Sequence, residues 1–206
     1  MTIRVHHLKI SRSTRIIWLM EELGLPYDLV EHTRGADFRS PPSLYEVHPL
    51  GKAPAVEIDG RVMVESSAII EYIVDTRGGG KLLPPDSGRA EYLEWLHFAE
   101  GTLGMPMLMR LLGPRLGLPE LALGFMDAEL KKQLDWIESQ LAGKSFLCGE
   151  TFTGADINLE YLLEHAEVLG QVAPRPNLSR YLAALKARPA YIKAIELGGP
   201  ITLPQG

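Results

Sequence analysis

Hydrophobic positions recur at two different periods along this chain, strand-like and helix-like runs alternating in its first third and helix-like runs alone following after residue 88. Ile3-Arg4-Val5-His6-His7-Leu8 alternates loosely, as a short strand does. Ile16, Leu19, Met20 and Leu23 then keep the i, i+3, i+4, i+7 spacing of one helix face, and Gly24 and Pro26 end that helix. Tyr27 to Val30 predicts a second strand, and a strand, helix, strand series this short implies parallel pairing through a right-handed crossover. Ala55-Val56-Glu57-Ile58 and Arg61-Val62-Met63-Val64 flank Asp59-Gly60, a pair whose left-handed dihedrals suit a two-residue hairpin turn. A helix from about Ser66 to Thr76 completes a β-α-β then β-β-α arrangement around a buried mixed sheet.

Gly78-Gly79-Gly80 and Pro84-Pro85 break this pattern, because three glycines lose too much entropy inside an element and paired prolines forbid one. The expected organisation is an α/β domain over 1–78, a linker over 79–88 and an all-α domain over 89–206. After the linker no β-branched run at period two occurs, and the helical period predicts helices near 89–112, 120–141, 154–169, 177–187 and 189–197. Thr153-Gly154-Ala155-Asp156 reads as a capping box. Ala155, Leu159, Leu162, Leu163, Ala166 and Leu169 behind it form an apolar stripe, as expected of a helix running through a core.

Composition narrows the function. With 206 residues, 46% of them hydrophobic, the chain can bury a full core. Its 21 Lys+Arg against 26 Asp+Glu give a net charge of −5 with no basic stripe, which argues against a nucleic-acid partner. Arg4, Lys9, Arg12 and Arg15 interrupt the first apolar residues, so no signal peptide or membrane span is expected and the cytoplasm is the expected compartment. Cys148 is the sole cysteine and has no internal disulfide partner; it reads as a buried small hydrophobe. His6 and His7 are neighbours on a strand and point to opposite faces, so they do not form a joint metal pair, and no metal is expected. Gly78-Gly79-Gly80-Lys81 lacks the following Ser or Thr of a phosphate loop.

Four segments in fixed order carry a resemblance: Ser11-Arg12-Ser13-Thr14-Arg15 after the first strand, Gly51-Lys52-Ala53-Pro54 before the hairpin, Glu65-Ser66 after it, and Thr153-Gly154-Ala155-Asp156 in the helical part. Together they resemble the glutathione transferase superfamily, and within it the bacterial-type, serine-using cytosolic enzymes. The resemblance covers essentially the whole chain. It implies a thioredoxin-like N-terminal domain that binds glutathione as co-substrate and an all-α C-terminal helical bundle that supplies a hydrophobic subsite. A cis Ala53-Pro54 bond is implied, with the Ala53 backbone turned to pair with the cysteinyl backbone of the tripeptide as an added strand would. Glu65 and Ser66 are implied to meet the γ-glutamyl end, and a helix N-terminus favours a carboxylate there. Ser66 as a plain helix cap is compatible with that role. Lys52 is a candidate for the glycine carboxylate, with nearby His48 less supported. Ala53 stands where relatives commonly carry valine, and His48-Pro49 where many carry asparagine-proline, which leaves the subclass open.

Ser11, with Arg15 four residues on, is the implied thiol-activating residue, and Ser13 in the same loop is the alternative. One of the two serines is expected to cap the following helix. A free thiol titrates near ~8.5, and lowering that by about two pH units requires ~2.7 kcal/mol of preferential thiolate stabilisation. A hydrogen bond to a charged group contributes about 1.5–3 kcal/mol and a helix N-terminus about 0.3–1, so the magnitudes match without a metal or general base. Arg12 and Arg15 are placed to add positive potential, Arg15 alternatively to hold domains together. Met105, Met107 and Met109 are candidates for the second-substrate pocket, with plain core as their other reading. The expected function is attack of glutathione sulfur on an apolar electrophile by a homodimeric enzyme. A glutathione-dependent reductase, peroxidase or isomerase on the same fold and a non-catalytic scaffold are the alternatives.

Overall fold

Val5 and Leu8 are buried because β1 (Ile3–Leu8) is an inner strand of a four-stranded sheet in the computed structural model, which describes residues 3–35 and 39–201. β1 runs parallel to β2 (Tyr27–His32), with Ile3 opposite Tyr27 and Leu8 opposite His32. It runs antiparallel to β3 (Ala55–Ile58), which pairs in turn with β4 (Arg61–Val64), giving the order β2-β1-β3-β4. Asp59 and Gly60 take φ of 52° and 78°, as the two-residue hairpin requires. β2 extends two residues past its apolar run because Glu31 and His32 still find partners in His7 and Leu8.

The parallel step is made by α1 (Thr14–Leu23), whose Ile16, Leu19, Met20 and Leu23 are all buried; Gly24 ends it at φ 67°. α2 (Pro42–Val47) is a helix that the hydrophobic period did not predict: it is six residues long and buries only Leu44, too little to leave a periodic signal. α3 (Ser66–Arg77) follows the hairpin.

The helical part opens with α4 (Arg89–Phe98), which leads through a widened π turn over Ala99–Leu103 into α5 (Gly104–Leu112). Pro106 has no N–H and its ring would clash with the carbonyl four residues back, so the expected single helix over 89–112 widens just before it. α6 (Glu120–Gln140), α7 (Gly154–Val168) and α8 (Pro176–Lys186) complete this part. α7 is buried along most of its length, and its capping box is formed. The buried Asp156 carboxylate accepts from the Thr153 N–H at 2.7 Å and the Thr153 hydroxyl at 2.9 Å. It also accepts from the Leu147 N–H at 3.0 Å and the Tyr181 hydroxyl at 2.8 Å, so one side chain fixes a helix start, a loop and a neighbouring helix. Cys148 is half-buried, and burial pushes its thiol up to about 11, which leaves it unreactive near neutrality.

Two compact units result: residues up to Lys81 together with those from Lys186 onward, and Leu82–Leu185. The last helix, α9 (Pro189–Gly198), therefore packs within the first unit, where the sequence pattern had grouped all of 89–206 together. Its partner is α1. Tyr191 meets Trp18 edge-on at 5.1 Å, and Arg188 grips Glu22 with two bonds of 2.6 and 2.9 Å. Such docking depends on a surface built by residues some 170 positions earlier, which helical periodicity does not encode.

Candidate active site

Three of the sequence-derived segments converge at one end of the sheet, and the strand register brings them there. His6 of β1 pairs with Ala55 of β3, and Ala55 pairs with Val64 of β4. The chain leaving β1 toward Ser11, the chain entering β3 through Ala53-Pro54 and the chain leaving β4 into Glu65-Ser66 therefore share that end.

The loop after β1 is held in an uncommon conformation. Ile10 sits at φ 55°, unfavourable for a β-branched residue, and Arg34 fixes it by donating from Nε to the Lys9 carbonyl at 3.1 Å and from Nη2 to the Ile10 carbonyl at 2.8 Å. Ser11 follows half-buried, whereas Ser13 has no exposed surface. Ser13 occupies the position before α1, yet its side chain does not cap the helix. The amides of Thr14, Arg15 and Ile16 are already taken by the backbone carbonyls of Ser11, Arg12 and Ser13. The Ser13 hydroxyl turns inward instead, 2.8 Å from His7 Nδ1, 2.7 Å from Ser11 Oγ and 3.2 Å from the Leu8 amide. Ser11 Oγ also accepts from the Ser13 N–H at 3.2 Å.

At the start of α3, Glu65 is exposed and takes φ 70°, a second strained backbone position at this end of the sheet. Glu65, not Ser66, is the residue before the helix; Ser66 is its first residue, 3% exposed, and its hydroxyl accepts from Arg15 Nη1 at 2.8 Å. Arg15 is itself buried on α1, so it brings positive charge to the positive end of the α3 dipole, a setting suited to a carboxylate. The Ala53-Pro54 bond is cis, as the resemblance implied. The β3 ladder begins at Ala55, so Ala53 lies outside it, half-buried beside an exposed Lys52. His48 accepts the Leu50 N–H at 3.3 Å through Nδ1 and serves its own turn.

His6 and His7 point to opposite sides of the sheet. His6 meets His32 at 3.0 Å and Glu57 at 2.9 Å, whereas His7 meets Ser13 and, through Nε2, the Gly198 carbonyl at 3.0 Å. Burial holds His7 below its ordinary value of 6.5, against the opposing pull of the Gly198 carbonyl. His7, Arg34 and Gly198 are the parts of this site that sequence reading missed; the available signal was a polar residue on the inner side of β1 next to a hydroxyl-rich loop.

The methionine run does not line one surface. Met107 is 1% exposed and belongs to the core of the helical unit, while Met105, 60% exposed, and the half-buried Met109 lie four apart on another face of α5. Among the described residues, no cluster of three or more His, Cys, Asp or Glu could hold a metal ion, and no helix is long and apolar enough to cross a membrane.

A mixed β2-β1-β3-β4 sheet with its helices, followed by a helical unit, is a thioredoxin-like domain joined to an all-α domain. Models of the glutathione S-transferase N-terminal and C-terminal domains match residues 11–76 and 122–184. The chain is 35% identical to glutathione S-transferase 3 of Schizosaccharomyces pombe, over 90% of this chain and 84% of that one. A crystal structure of a glutathione S-transferase from Actinobacillus pleuropneumoniae superposes with a TM-score of 0.87 at 32% identity, covering 98% of this chain and 95% of that one. A glutathione transferase family member from Pseudomonas fluorescens, solved with two glutathione bound, gives 0.80 at 26% identity over 95% and 92%. The chain belongs to the glutathione S-transferase family.

Proposed function

We propose that this glutathione transferase binds glutathione at the convergent end of its sheet and activates the thiol through Ser11. The observation that carries the reading is the convergence itself: a half-buried hydroxyl at Ser11, the strand-free backbone of Ala53, and the Arg15-supported start of α3 meet at one end of β1, β3 and β4. The γ-glutamyl carboxylate is received by Ser66 and the positive end of α3, its ammonium by Glu65, the cysteinyl backbone by Ala53 after Pro54, and the glycine carboxylate by Lys52. Ser11 is favoured over Ser13 because Ser13 is fully buried with its hydroxyl engaged inward. Sulfur then attacks an apolar electrophile, with rate gained from thiolate stabilisation and from holding both reactants in place. The exposed side of α5 carrying Met105 and Met109 is the proposed electrophile subsite, since flexible thioethers adapt to varied apolar groups. The working form is proposed to be a cytoplasmic homodimer.

Product analysis with glutathione and an apolar aryl halide tests this. A thioether should form as glutathione is consumed, and Ser11→Ala should lower kcat/KM by about ten- to one-hundred-and-fifty-fold, the equivalent of ~1.5–3 kcal/mol. Formation of glutathione disulfide in place of the thioether, or full activity in Ser11→Ala, would overturn it.

A further inference from the structure

Behind Ser11 runs an unbroken chain of hydrogen bonds. Ser11 Oγ lies 2.7 Å from Ser13 Oγ, Ser13 Oγ 2.8 Å from His7 Nδ1, and His7 Nε2 3.0 Å from the Gly198 carbonyl. Elementary chemistry assigns the protons. A carbonyl oxygen only accepts, so Nε2 carries the hydrogen, and the neutral ring offers Nδ1 as an acceptor. The Ser13 hydroxyl also lies 3.3 Å from the Leu8 carbonyl, but Nδ1 at 2.8 Å is nearer and carries no hydrogen of its own, so the hydroxyl donates to Nδ1. Having one proton only, Ser13 Oγ then accepts from the Leu8 N–H at 3.2 Å and from the Ser11 hydroxyl. Ser11 Oγ, which also accepts from the Ser13 N–H at 3.2 Å, is thereby left with one lone pair for a ligand and no hydrogen to offer it. It is set to accept a proton, whereas stabilising a thiolate calls for a donor.

We propose that His7 is the terminal proton acceptor of a relay that carries the thiol proton of bound glutathione through Ser11 and Ser13 to Nδ1. The S–H bond breaks and its proton bonds to Ser11 Oγ; the original Ser11 proton passes to Ser13 Oγ, and the original Ser13 proton passes to His7 Nδ1. Nothing is oxidised, and the products are a thiolate and an imidazolium. Every hydroxyl in the chain has reversed, so Ser11 ends as a donor to the sulfur anion. In an addition reaction the proton returns along the same path to the adduct; in a displacement it leaves to solvent with the departing anion.

Two independent features favour this acceptor. The Gly198 carbonyl belongs to the last turn of α9, where carbonyls lack helical partners and the dipole is negative, so an imidazolium is received favourably there. Glycine is what permits the approach: a Cβ on Gly198 would stand 3.2 Å from His7 Cε1 and 3.1 Å from Ile17 Cδ1. Of the charged and titratable groups around His7, Glu31 favours the imidazolium, while Lys9 and His32 oppose it together with burial, so the resting ring is neutral and ready to accept.

The proposal rests on Ser11 meeting sulfur, and the test separates the two. Glutathione is mixed with the whole enzyme near neutral pH in weak buffer, while the ultraviolet thiolate band and a pH indicator are followed together. A thiolate formed at Ser11 favours the charged form of the imidazole coupled to it, so the relay predicts fewer than one proton released per thiolate formed by the wild type, and one proton per thiolate in His7→Gln and in Ser13→Ala. Release of a full proton by the wild type, or variants that keep the wild-type balance, would overturn it. Should His7→Gln not fold, Ser13→Ala and the wild-type stoichiometry still decide. Ser11→Ala gives the separation: thiolate formation undiminished in that variant sinks the Ser11 reading itself, whereas its loss there with full proton release by the wild type sinks the relay alone.

Discussion

Arg15 ties together two elements of the proposed site with one side chain. Buried on α1, it donates to Ser66 and so links the helix that follows the serine loop to the start of α3. Ser66→Ala removes that acceptor, and since hydrogen bonds to charged groups contribute about 1.5–3 kcal/mol, the free energy of unfolding should drop by a comparable amount while the glutathione KM rises more than kcat falls. An unchanged KM in steady-state kinetics would refute the glutamyl role. Acid stability provides a second residue-scale prediction. His7 and His32 both have folded values below the ordinary 6.5, each with burial as the first cause. For a base depressed in the folded state, the unfolded chain takes up protons first. Stability is therefore complete above the unfolded value and is lost as pH falls, over a window starting near pH ~6.5. Urea unfolding from pH ~7.5 to ~5 should show this loss, and His7→Gln should remove part of it.

At the scale of elements, the caps and ends carry the consequences. Asp156→Ala would strip the Leu147 and Thr153 amides and the Tyr181 hydroxyl of their shared acceptor. With about 1–3 kcal/mol for each buried group left unpaired, a loss of ~3–5 kcal/mol is expected in thermal or denaturant unfolding. Gly198→Val would drive a branched side chain into Ile17 and His7, costing about 1–3 kcal/mol by overpacking and moving the end of α9 away from the imidazole. Much of this layer was legible in the sequence. The face of α1, the Asp59-Gly60 hairpin and the Thr153-Asp156 box each follow from spacing between near neighbours. α2 was invisible because six residues with one buried side chain carry no period, and the π turn was invisible because Pro106 interrupts the ladder without interrupting the apolar pattern. Ser11, Pro54 and Glu65-Ser66 were legible as segments, whereas His7 was not: its bond to Gly198 joins residues 191 positions apart.

For the whole molecule, the unit holding the proposed glutathione residues is discontinuous in sequence, completed by α9 from the far end of the chain. Truncation after Lys186 would remove the Arg188 pair with Glu22, the Tyr191 contact with Trp18 and the Gly198 carbonyl together. Such a chain should lose cooperative unfolding of this unit in calorimetry, even though every residue named for glutathione is still present. Retained cooperativity would show that α9 is dispensable. The central claim, thiol activation by Ser11, is tested most directly by titrating the ultraviolet thiolate band of bound glutathione against pH in the wild type and in Ser11→Ala. The account predicts a wild-type midpoint about two pH units below the ~8.5 of a free thiol and a return toward that value in the variant. A wild-type midpoint near the free value, or a variant that titrates like the wild type, would contradict it.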